Sequence, residues 1–232
     1  MSLRRKLQAV FAGVIVSAVF APRPADSQGL SKKNSRVRLK LAASDKRVAV
    51  LQRAREQTLA ILQTDNACSA WFREADADAA AVFESVRYEI ERNNPSYIFL
   101  RTDAHGEPLY KHPWSARTNE LTGRNSTIHL NPSGPFFKSG SQVVVLDSGG
   151  VPVRFEGYRA LTIASFRGST AEAQITILLH ELGHIIGRIP EDDDSWDGRS
   201  TRNTQEVLRS CKREIQEHDR KFRLAEAERP LL

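Results

Sequence analysis

The residues best suited to chemistry stand together at His180-Glu181-Leu182-Gly183-His184, inside an apolar run that extends from Ile175 to Gly187. On a helix, residues four apart share a face. The two imidazoles can therefore aim at one point, as two ligands of a metal ion must. Glu181, one step further round, can reach a water on that ion without itself becoming a ligand. A zinc ion held in this way polarises a carbonyl and lowers the pKa of its water toward neutrality, and the carboxylate takes the proton. The spacing thus describes a hydrolytic half-site with Glu181 as general base, and Gly183 is expected to remove bulk close to the ion.

A hydrolytic zinc site takes three ligands from the protein and leaves a fourth position for water, so one ligand has to come from elsewhere. Beyond the turn that Gly187 permits, the chain offers Asp192, Asp193, Asp194 and Asp197, and Glu206 stands 22 residues after His184. Asp192 is favoured, because Pro190 stiffens the returning chain and Asp192 is the first carboxylate beyond it that can swing back to the motif helix. Asp193, Asp194, Asp197 and Glu206 remain as alternatives.

Ile175 to Gly187 resembles the active-site helix of the zincin metallopeptidases, in which HExxH binds zinc and supplies the general base. The resemblance implies a zincin-like α+β fold, a small mixed sheet packed on helices, with an edge strand that aligns a peptide or protein substrate in extended form. It implies a Zn2+ cofactor on His180 and His184 and a catalytic Glu181. The chain departs from two known continuations: the position of the third metzincin histidine is Pro190, and Asn203 to Val207 only weakly matches the gluzincin context around a ligand such as Glu206. From Leu178 to Cys211, with its Ile189-Pro190, its acidic turn and its Asn203-Thr204, the chain is also similar to small predicted-secreted bacterial proteins of undetermined activity.

The elements that must position the motif can be read from periodicity. Val48, Leu51, Leu59 and Leu62 predict a helix over Lys46–Leu62 with Asp45 as its cap, and Ala79, Val82, Phe83, Val86 and Ile90 predict another over Asp76–Arg92, ended by Asn93-Asn94-Pro95. Trp71 and Phe72 read as core. "SYIFLRTD", "STIHLNP" and "QVVVLD" are short, β-branched and bounded by turn residues, which predicts strands. A fourth strand is expected through Val153–Phe155 or through Leu161 and Ile163. "STIHLNPSGPFF" is the candidate edge strand with its exit loop. The motif helix should run from Thr170 to Ile186, capped by Ser169 or Thr170, and a closing helix should begin near Ser200 and carry Val207, Leu208, Cys211 and Ile215. Tyr158 or Arg159 would reach an oxyanion if their loop borders the cleft. His105, His112, His129 and His218 are isolated.

The first 55 residues hold 13 Lys/Arg against Asp26 and Asp45, so the formal charge of +6 conceals a mildly acidic remainder of −5. Arg4-Arg5-Lys6, the apolar stretch Val10–Phe20 and Ala25-Asp26-Ser27 have the order of a secretory signal cut after Ser27. Residues 28–45 follow as a basic flexible arm able to make weak contact with an anionic envelope surface. A metallohydrolase domain then occupies 46–232. With 232 residues there is room for one well-buried core. Export to the periplasm or the medium makes Cys68 and Cys211, the two cysteines, a natural disulfide. No nucleic-acid motif is present. The rival to a secreted hydrolase is a non-catalytic envelope binding protein that keeps a zincin-like fold.

Overall fold

In the computed structural model the described residues are 46–91, 97–100, 109–146, 152–192 and 198–227. The leader and arm expected at 1–45, with the Asp45 cap, lie outside them. Helix α1 (Lys46–Gln63) follows the predicted periodicity and buries Leu51, Ala54, Thr58, Ile61 and Leu62 along one face. A short α2 (Ala67–Arg73) comes next. Asn66 caps it by accepting from the Ser69 N–H at 2.8 Å, while the Asn66 N–H donates back to Ser69 Oγ at 3.2 Å, which satisfies two N-terminal donors reciprocally. The expected core residues lie here: Phe72 is fully buried and Trp71 packs against the core.

The long helix expected over Asp76–Arg92 does not form. Instead α3 (Ala79–Ser85) stops at Val86, whose backbone is already extended, and β1 (Arg87–Ile90) follows with alternating exposed and buried residues. Val82, Val86 and Ile90 are spaced by four, a step that fits a helix and also fits the two-residue period of a strand. A partner strand decides between them. β1 pairs in parallel with β5 (Thr127–Leu130), setting Tyr88 opposite Ile128 and Ile90 opposite Leu130.

On the other side of β5, β4 (Ala116–Arg117) pairs antiparallel, giving a mixed sheet of order β1-β5-β4. β5 is therefore the central strand and not the expected edge; the edge beside the motif helix is β4. The loop after β5 docks on the start of that helix, with Gln174 Nε2 donating to the Phe136 carbonyl at 3.0 Å. A second sheet has the order β2-β3-β6-β7, all antiparallel, from β2 (Tyr97–Leu100), β3 (Leu109–Pro113), β6 (Gly140–Leu146) and β7 (Pro152–Ala160). A small hairpin joins β8 (Thr162–Ile163) and β9 (Phe166–Arg167). Both sites named for a fourth strand are thus extended, and the α+β class is observed.

Helix α4 (Ala171–Ile185) packs against α1, α5 (Arg199–Ala227), β4 and the hairpin. Asn203, Val207, Cys211, Ile215 and Asp219 recur every four residues on the buried side of α5. Cys211 is joined to Cys68 across 143 residues of sequence, so α5 is tied covalently to α2. Among the described residues no helix is long and apolar enough to cross a membrane. Replacing both cysteines by serine is expected to lower the unfolding free energy by about 2–5 kcal/mol, read from the urea midpoint of the double variant; an unchanged midpoint would show that packing alone holds α2 to α5.

Candidate metal centre

The first turn of α4 is fixed by Thr170, whose hydroxyl accepts from the Ala173 N–H at 3.3 Å. Every residue from Ala173 to Ile185 is buried, as expected of a helix with apolar residues on all sides. Within that interior His180, Glu181 and His184 are only 6%, 5% and 4% exposed. Polar groups taken this far from water need partners, and those of His180 come largely from the chain that follows the helix.

α4 ends in a tight reversal. Gly187 adopts φ 70°, a left-handed conformation that costs a residue with a Cβ about 1–2 kcal/mol. The Gly187 N–H donates to the His184 carbonyl at 3.0 Å and the Arg188 N–H to the Gly183 carbonyl at 2.8 Å, the bond pair that closes many helix C-termini. Arg188 then bonds Glu74 at 2.5 Å and lies over the Trp71 ring at 4.5 Å. Ile189 folds down onto Gly183, where an added Cβ would stand 2.8 Å from Ile189 Cγ1. Gly183 therefore makes room for the returning chain.

The reversal delivers Asp192 to the two histidines. Nε2 of His180 lies 2.9 Å from Nε2 of His184 and 3.0 Å from Oδ2 of Asp192. Oδ1 of Asp192 is 3.6 Å from His184 Nε2. From α5, Asn203 Nδ2 donates to Asp192 Oδ1 at 2.7 Å and to the Pro190 carbonyl at 2.8 Å, and Thr204 Oγ1 is 3.1 Å from His180 Nδ1.

Among the described residues, His180, His184 and Asp192 form a group able to hold a metal ion. Ligand atoms on a tetrahedral ion with bonds of about 2.0–2.1 Å stand roughly 3.3 Å apart. Here one ligand atom from each of the three residues lies within 4.8 Å of the others, with His180 Nε2 2.9 Å from His184 Nε2 and 3.0 Å from Asp192 Oδ2. Glu181 supplies a second sign of fit, because its buried Oε2 has no hydrogen-bond partner. Burial pushes the Glu181 carboxyl up to about 7, against the opposing pull of His180 and His184. For Asp192 burial acts upward too, but the hydrogen bonds to His180 and His184 outweigh it and hold the carboxyl well below the usual carboxylate range. At His184 burial acts downward and is outweighed by the hydrogen bond to Asp192 and by the charges of Glu181 and Asp192, so its pKa lies above that of an ordinary imidazole.

The chain matches no family model, no curated protein and no solved structure.

Of the alternative ligands, Glu206 is exposed on α5 and outside the group, while Asp193, Asp194 and Asp197 lie outside the described residues. Tyr158 and Arg159 are exposed on β7. His129 faces Glu89 at 3.6 Å, His218 is on α5, and neither belongs to the group; His105 and the side chain of His112 fall outside what is described. The contributions of Asn203 and Thr204 were not legible in the motif. Beyond the pattern resemblance that included Asn203-Thr204, their signal is a pair of small polar residues at the start of a helix whose next buried positions, Val207 and Cys211, are apolar.

Metal capture requires neutral imidazoles, so it releases any proton that His184 holds. With the His184 pKa raised, affinity for zinc should fall as the pH is lowered from 8 to 6, by up to about tenfold per pH unit for each proton displaced. Competition against a chelator of known pH dependence measures it; a flat profile would exclude His184 as a ligand.

Proposed function

We propose that this chain is an exported zinc-dependent hydrolase of the zincin type, a metallopeptidase in which His180, His184 and Asp192 hold Zn2+ and Glu181 is the general base. The observation that carries this reading is the convergence of two imidazole nitrogens and a carboxylate beside a buried, unpartnered Glu181 oxygen. Structural zinc sites are closed by four protein ligands, and the described residues bring three together here. An arrangement of three ligands with an adjacent carboxylate is suited to reaction.

Zinc, when bound, supplies a Lewis acid that polarises a carbonyl and acidifies water. Glu181, once deprotonated, takes a proton from the attacking water and returns it to the leaving nitrogen. Burial raises the Glu181 carboxyl in the metal-free chain, and a bound cation would act against that shift and favour the ionised form that accepts a proton. Asp192, ionised in its hydrogen bonds, balances part of the ion's charge. Peptide is favoured as substrate because β4 is an edge of the mixed sheet among the described residues and lies against α4. An extended chain added to such an edge is held by main-chain hydrogen bonds. Export is supported by the disulfide, since such bonds persist in oxidising compartments, and by the leader-like order of residues 1–27.

Glu181→Gln keeps the shape of the side chain and removes its basicity. The variant should retain zinc, assayed by metal analysis of dialysed protein, while peptide hydrolysis falls by at least about a hundredfold. Unchanged turnover would remove Glu181 from the mechanism. A zinc-loaded native chain that cleaves no member of a broad peptide library would favour the non-catalytic binding protein.

A further inference from the structure

The geometry points to Asn203 and Thr204, neighbours near the start of α5, as positioning residues that set the His180 tautomer and the Asp192 carboxylate for metal capture. This inference rests on the zinc reading above.

A neutral imidazole has one N–H donor and one acceptor nitrogen, so whatever faces one nitrogen constrains the other. Asp192 Oδ2, which only accepts when ionised, lies 3.0 Å from His180 Nε2 and calls for the proton on Nε2. His180 Nδ1 then accepts from the Thr204 hydroxyl, 3.1 Å away. Ligation through Nε2 demands the opposite state: the proton moves to Nδ1, and Thr204 Oγ1 becomes the acceptor. A hydroxyl fills both roles at a single atom. A carboxylate there would only accept, and a methyl would leave a nitrogen unpaired in the interior.

Asn203 acts on the third ligand. Its Nδ2 faces two oxygens, Pro190 O at 2.8 Å and Asp192 Oδ1 at 2.7 Å, so its partners fix which end of the amide points inward. It is 4% exposed. By occupying Oδ1 and the backbone two residues upstream, it turns Oδ2 toward His180 Nε2, the atom beside which an ion must sit. Residues that orient ligands from behind in this way typically change metal affinity by about 10- to 100-fold when lost.

The test uses the full chain and Zn2+, with affinity read by competition against a chromophoric chelator and the His180 tautomer read by 15N NMR of histidine-labelled protein. Thr204→Val, which keeps the shape, and Asn203→Ala should each weaken zinc by about 10- to 100-fold. Thr204→Ser, which keeps the hydroxyl, should bind as the native chain does. In the native chain the His180 proton should be on Nε2 without zinc and on Nδ1 with it. If Thr204→Val and Asn203→Ala bind zinc normally while Asp192→Ala has lost it, the positioning role is wrong and the zinc site stands. A loss in one variant alone overturns the role of the other residue. A native chain that binds zinc no better than Asp192→Ala overturns both this inference and the ligand set beneath it.

Discussion

An ionised carboxylate is held against two buried imidazoles, and much of the structure around α4 can be understood as what it takes to hold it there. A carboxylate half withdrawn from water, as Asp192 is, needs ion pairs and hydrogen bonds in place of part of its hydration. Asp192 meets that condition through His180, His184 and Asn203. Each of these contacts depends on the chain reversing at once after α4. The reversal in turn depends on a left-handed Gly187 and on a Gly183 small enough to let Ile189 lie on the helix. The two glycines therefore serve the placement of Asp192 indirectly, through the path of the backbone.

The seven-residue α2 has a larger part in this than its length implies. It provides Cys68 for the bond to α5 and Trp71 for the stack on Arg188, and Glu74 follows it to bind the same guanidinium. One short element thus secures both chain segments that meet at Asp192: the reversal after α4 and the helix that bears Asn203 and Thr204. The order of assembly follows. His180 and His184 can share a face as soon as α4 forms, but Asp192 gains its full set of partners only after α5 docks.

How far the sequence revealed this depended on the range of the interaction involved. α4, α1 and α5 were legible because their apolar residues repeat over many turns, and His180, Glu181 and His184 because their chemistry is contained within five consecutive positions. α2 was too short for a period to register, and Val82, Val86 and Ile90 fitted two periods at once, so β1 emerged only through its pairing with β5. β5 was read as an edge because strand order is a property of partners and not of the strand itself. Asp192 was reached by argument from Pro190, but Asn203 gave no local sign of where its amide would point. The contact of Gly183 with Ile189 was hidden for the same reason: Ile189 is close in sequence but reaches it only through the turn.

The covalent link between Cys68 and Cys211 has a consequence for a chain whose backbone is cut. Residues 68–211, which include α4, Asp192, Asn203 and Thr204, form a closed ring. A single backbone cut anywhere within that ring leaves the two fragments joined, and α2 and α5 remain tethered beside the site. Wherever proteases are met, such a chain can be nicked once without shedding the segments that hold His180, His184 and Asp192 in place.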